Sequence, residues 1–137
     1  MNTVISTPKA PAAVGPYSQA IKAGNTVYCS GQIGLDPATG TMVEGVVAQA
    51  NRAFDNLEAV LAQAGAKMTD VVKFTIFLTD INDFSQVNEV MAAHVPTPYP
   101  ARSCMQVAAL PKGALVEVEA IAVIRRKIGR ASCRERV

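Results

Sequence analysis

Residues 100–122 read Pro-Ala-Arg-Ser-Cys-Met-Gln-Val-Ala-Ala-Leu-Pro-Lys-Gly-Ala-Leu-Val-Glu-Val-Glu-Ala-Ile-Ala, which sets one arginine and two glutamates into otherwise apolar strand sequence. Charges held in such strands need a partner or a ligand, because an unpaired ion loses far more hydration than the chain can return. Val116, Val118 and Ala120 alternate with Glu117, Glu119 and Ile121, so period 2 puts both carboxylates on one strand face. Arg102 falls on the preceding strand, and Pro111-Lys112-Gly113 reads as the turn between the two. Together they predict a site for a small anion and a water. A cross-strand ion pair on an exposed sheet face is the competing reading, and on these residues alone it is the stronger one.

The rest of the chain supplies a sheet and two helices for that segment to join. Residues 17–22 and 26–33 alternate around Gly24-Asn25 and predict a hairpin, and Asp36-Pro37 through Gly40 marks a second turn. Val47, Ala50, Phe54, Leu57, Leu61 and Ala64 recur at steps of 3 and 4, one helical stripe closed by Gly65. Residues 70–79, rich in Val, Phe, Thr and Ile, predict a central strand. Asp80 to Asn82 then punctuates the chain before a second helix that turns Phe84, Val87 and Met91 inward. Strands over about 101–108 and 115–125 complete the order strand, strand, helix, strand, helix, strand, strand. That order is an α+β fold with two helices on one face of a sheet. The other sheet face needs cover, for which a further copy of the chain is the simplest source.

Composition narrows the classes of function. The chain has 137 residues, enough for one domain with a modest core. Residues 128–137, Ile-Gly-Arg-Ala-Ser-Cys-Arg-Glu-Arg-Val, lack the apolar periodicity before them and resemble a translated sequencing-adapter frame. We expect a single domain over 1–127 and a non-native or disordered tail over 128–137. The tail holds three of the 13 basic and one of the 11 acidic residues, so the body keeps ten of each sign. A neutral body argues against nucleic acid as partner. No stretch approaches the ~20 apolar residues of a membrane span, and no cationic start leads into an apolar run. Cys29, Cys104 and Cys133 form no C-x-x-C pair and His94 is the one histidine, so no zinc motif or disulfide framework is expected. These features fit a cytoplasmic protein.

Gly15-Pro16-Tyr17-Ser18-Gln19-Ala20, Ser30-Gly31-Gln32-Ile33, Asp83-Phe84-Ser85-Gln86-Val87-Asn88 and Pro100-Ala101-Arg102-Ser103-Cys104 follow one another in the order of the signatures of the RidA (YjgF) family. The chain resembles that family over residues 3–126, and four motifs in order are far more specific than any one. The resemblance implies a chorismate-mutase-like fold, a homotrimer with ligand clefts between neighbouring subunits, and no cofactor or metal. It also implies hydrolytic deamination of 2-imino and enamine acids such as 2-aminoacrylate, 2-iminobutanoate and 2-iminopropanoate, intermediates that leak from pyridoxal-phosphate-dependent dehydratases. By the same resemblance Arg102 binds the substrate carboxylate and Glu117 positions the water, while Tyr17, Ser30, Gly31, Asn88 and the backbone at Cys104 line the pocket.

The residue types suit those roles. A guanidinium fork pairs bidentately with a carboxylate, and a carboxylate shielded from water gains basicity. Duller explanations exist for several. Tyr17 could anchor a loop, Ser30 could satisfy a backbone group, and Asn88 could be an exposed helix residue. Cys104 has no base near in sequence and reads as packing, and Glu119 could be neutralised by Lys73 or Arg102. Where relatives often carry aromatic residues, this chain has Met91, His94 and Val95, which bears on side-chain preference rather than on reaction class. The alternative to an enzyme is a non-catalytic, metabolite-binding or chaperone-like trimer of the same fold. An intact Arg102 with Glu117 favours the enzyme.

Overall fold

The computed structural model describes residues 2–125. The chain runs β1 (Asn2–Ile5), β2 (Ala20–Ala23), β3 (Thr26–Gln32), α1 (Val46–Gln63), β4 (Val71–Leu78), α2 (Phe84–His94), β5 (Ala101–Gln106) and β6 (Val116–Val123). The six strands form one mixed sheet in the order β1-β2-β3-β6-β4-β5. β5 lies parallel to β4 and the other pairings are antiparallel. The predicted α+β architecture is present, with one strand more than expected. Asn2–Ile5 is too short for periodicity to reveal and forms an edge by pairing with β2.

Local chemistry explains the elements. Gly24, at φ 61°, takes the first position of the two-residue turn between β2 and β3, where a type II′ hairpin needs positive φ. That hairpin begins at Ala20 rather than at residue 17. α1 ends in a Schellman motif: the amide of Gly65 donates to Ala62 O at 3.0 Å and that of Ala66 to Leu61 O at 2.8 Å, with Gly65 at φ 85°. The predicted stripe is buried at Ala50, Phe54, Leu57, Leu61 and Ala64, whereas Val47 at its start is exposed. Phe54 meets Phe74 of β4 edge to face at 5.6 Å, and Ile76, Leu78, Val116 and Val118 complete the layer between helices and sheet.

Two buried amides fasten α1 to the loops at its sides. Asn56 is fully buried and its Nδ2 donates to Ile33 O and Leu35 O, while Gln49 Oε1 accepts from the Leu115 amide and its Nε2 donates to Val43 O. Such amides are stable inside only because their bonds are made. The second holds Leu115, the residue just before β6 starts and two before Glu117. On the helix-free side Tyr28 of β3 is level with Ile121 of β6, which is level with Lys73 of β4, and further along the sheet Glu117 of β6 is level with Phe77 of β4, which is level with Met105 of β5; Tyr28 and Met105 are well exposed.

The hairpin expected between β5 and β6 does not form. β4 lies between them, β5 is an edge strand reached by the crossover through α2, and Pro111–Gly113 is a short 3₁₀ turn in a connection between non-neighbours. The tail expected over 128–137 lies outside the described residues.

Candidate functional site

Register decides which side chains can meet. Arg102 is level with Phe74, which is level with Ala120, and both of these are buried beneath the helices. Glu117 is level with Phe77, and Glu119 with Thr75, on the opposite face. Arg102 and the two glutamates therefore lie on opposite faces of the sheet, with β5 and β6 about 10 Å apart across β4. Within one chain they form no site together.

Arg102 projects over α2 at the sheet edge. Its guanidinium lies 5.1 Å from the centroid of the Phe84 ring, donates to Asn88 Oδ1, and approaches Met91 Sδ at 3.7 Å. Phe84, Asn88 and Met91 belong to one helix, spaced by 4 and 3 residues, so one face of α2 orients the fork. Asn88, Met91, Ala92, Tyr99, Pro100 and Arg102 line a cleft of ≈ 410 Å³ there. Cys104 shares this face two residues further on and packs partly against the core. Burial pushes its thiol up while the Arg102 charge pulls it down, so the balance keeps it protonated.

The second half of the predicted set lines a cleft of ≈ 730 Å³ on the other side, which includes Tyr17, Ser30, Gly31, Lys112, Glu117 and Glu119. Burial pushes the Glu117 carboxyl up from its ordinary pKa, and the Glu119 carboxylate raises it further. Among the described residues neither glutamate has a cation within ion-pair distance, so the neutralisation of Glu119 by Lys73 or Arg102 does not occur in the chain. The close approach of Glu117 to β3 depends on Gly31: a Cβ there would sit 1.9 Å from Glu117 Oε2. Gly31→Ala should push the carboxylate outward and lower kcat by about 10- to 10²-fold with little change in Tm, since only a movable side-chain end is displaced. A variant with unaltered kcat would show that the carboxylate's position there is immaterial.

Ser30 and Tyr17 are held differently. The Ser30 hydroxyl donates to Ser18 O at 2.6 Å, so its proton is spent on the backbone and its lone pairs remain to accept. Tyr17 is more than half exposed at the cleft rim. Two residues escaped the sequence reading of the site. Gln19 is buried, accepts from the Thr7 amide at 2.7 Å and donates to Thr7 O and Pro11 O, which anchors the segment forming the cleft wall. Phe84 carries the guanidinium as well as packing inward. Its spacing from Asn88 was the available signal.

The comparisons with known proteins agree along nearly the whole chain. The family model described as Endoribonuclease L-PSP matches residues 7–124. A goat (Capra hircus) protein named 2-iminobutanoate/2-iminopropanoate deaminase is 55% identical over 121 residues, 88% of each chain. A human protein of the same name is 52% identical over 121 residues, again 88% of each. The crystal structure of RidA from the Antarctic bacterium Psychrobacter superposes with a TM-score of 0.88 at 56% identity, covering 89% of this chain and 99% of that one.

Proposed function

We propose, from the premise that this chain belongs to the RidA (YjgF) family, the one described as Endoribonuclease L-PSP, that it is an enzyme hydrolysing 2-imino acids to 2-keto acids and ammonia. The activity follows from relatives more than half identical over most of the chain. The substrates are 2-iminobutanoate and 2-iminopropanoate, the latter formed when 2-aminoacrylate tautomerises. Their source is the class of pyridoxal-phosphate-dependent dehydratases that release enamines, and the cytoplasm is where both would meet. Among the described residues no helix is long and apolar enough to cross a membrane.

The single observation that carries the mechanism is the division of the site between two sheet faces. Arg102, clamped on α2, receives the substrate carboxylate. Glu117, raised in basicity, faces the other way and takes a proton from water as the water oxygen bonds to the iminium carbon. The C=N π pair moves to nitrogen and a carbinolamine forms. Glu117 then returns its proton to nitrogen, the C–N bond breaks, and the hydroxyl proton leaves through Glu117 as the carbonyl forms. Tyr17, Ser30 and Gly31 border the Glu117 side, and Asn88 and the Cys104 backbone border the Arg102 side.

A homotrimer joins these halves. The helix-free face, which carries Tyr28, Ile121, Phe77 and Met105, is the surface its subunits would bury, bringing the Arg102 edge of one copy to the Glu117 cleft of the next. An ammonia-release assay on freshly generated 2-iminobutanoate tests the activity. Complementation tests the division: inactive Arg102→Ala and Glu117→Gln chains, co-refolded in equal amounts, should regain about one quarter of wild-type activity, because one cleft in four pairs an intact arginine with an intact glutamate. Unmixed activity levels after co-refolding would place both groups in one subunit.

A further inference from the structure

The two helices carry a second cluster, made of residues that line neither the Arg102 cleft nor the Glu117 cleft. Asp55 and Glu58 stand one turn apart on α1, and His94 ends α2 beside them. One ligand atom from each lies within 4.8 Å of the others, and His94 Nδ1 is 3.8 Å from Asp55 Oδ1. The histidine ring is mostly buried and stacks on Phe54, centroids 5.4 Å apart at 21°.

Its other nitrogen is committed. Asn51 Nδ2 donates to Val47 O at 3.1 Å, which fixes the amide so that Oδ1 faces His94 Nε2 at 2.8 Å. A carbonyl oxygen only accepts, so Nε2 carries the hydrogen and donates it. The lone pair of the neutral ring is then at Nδ1, aimed at a carboxylate that is itself an acceptor. Two acceptors facing each other need a donor or a cation between them: a proton on Nδ1, a bridging water or a metal ion.

We propose that Asp55, Glu58 and His94 bind a first-row divalent cation of the Zn²⁺ class. One imidazole and two carboxylates select that class over Mg²⁺ and Ca²⁺, which take oxygen ligands. Donors about 2.1 Å from a tetrahedral ion stand about 3.4 Å apart, which exposed carboxylates reach by small rotations. Asn51 is the outer partner that sets the tautomer and orientation of the ligating ring. The ion would clasp α1 to α2 and leave the remaining coordination positions to water. The sequence concealed the set because its carboxylates lie 39 and 36 positions before His94, in no short motif.

The test titrates Zn²⁺ into the chelator-treated full-length chain by calorimetry, with Tm measured alongside. One saturable ion per chain and a rise in Tm are expected. Asn51→Ala should weaken binding by about 10- to 10²-fold, and Asp55→Asn and Glu58→Gln by at least as much, with imine hydrolysis unchanged in all three. Co²⁺ should give d–d bands without thiolate charge transfer. No saturable uptake up to millimolar Zn²⁺, full uptake by the Asp55→Asn/Glu58→Gln chain, or a thiolate band with Co²⁺ would each overturn the proposal. The two carboxylates are solvent-facing, so these variants remain folded and every outcome is readable.

Discussion

Arg102→Ala is expected to abolish measurable imine hydrolysis while the chain stays folded and assembled. The guanidinium is solvent-facing; of the residues it touches, Asn88 is exposed, while Met91 belongs to the core and Phe84 packs against it through contacts that do not involve the arginine. Its contribution to activity is larger. Two charge-assisted bonds to a substrate carboxylate at about 1.5–3 kcal/mol each amount to a loss of roughly 10² to 10⁴ in kcat/KM. Arg102→Lys keeps the charge but not the planar fork or its stacking on Phe84, so it should still lose at least about tenfold. Near-wild-type kcat/KM in either variant refutes the assignment. Size-exclusion chromatography separates this from a trivial cause, because activity lost together with the oligomer would place Arg102 in assembly instead.

The chain disclosed its elements more readily than their neighbours. α1 was legible because its apolar residues repeat at steps of 3 and 4 and Gly65 stops them, a purely local signal. β4 and β6 were legible from β-branched runs and strict alternation. What the sequence could not convey is that β4 would enter between β5 and β6. Strands consecutive in sequence usually pair, and the Pro111–Gly113 turn looked like the link of a hairpin. With that pairing wrong, the single site expected of Arg102 and Glu117 across neighbouring strands was wrong too, since face follows register and register follows the neighbour. The candidate residues themselves came from motif resemblance, which carries no geometry. Physical reading of the site thus had to await the sheet order, whereas the Gly31 contact and the Asn51–His94 bond are long-range facts with no local pattern at all.

Glu117→Gln and Cys104→Ala should separate water attack from covalent catalysis. Glutamine keeps the shape and hydrogen-bonding reach of Glu117 but cannot accept the water's proton, so kcat should fall by about 10² to 10⁴ with KM little changed. The wild-type enzyme should lose kcat as pH falls through the raised Glu117 pKa, because only the carboxylate is a base, and the Gln variant should lack that limb. Stability runs the other way. A carboxyl raised in the folded state binds protons that the unfolded chain has released, so its contribution is full below the unfolded pKa and is lost as pH rises through the folded one. Glu117→Gln should therefore have a Tm at neutral pH at least equal to the wild type, trading activity for stability. Cys104→Ala should keep most activity, since burial favours the thiol over the thiolate a nucleophile needs, and Arg102 only partly opposes this. A dead Cys104→Ala beside an active Glu117→Gln, or substrate found bonded to Cys104 by mass spectrometry, would exclude water attack driven by Glu117.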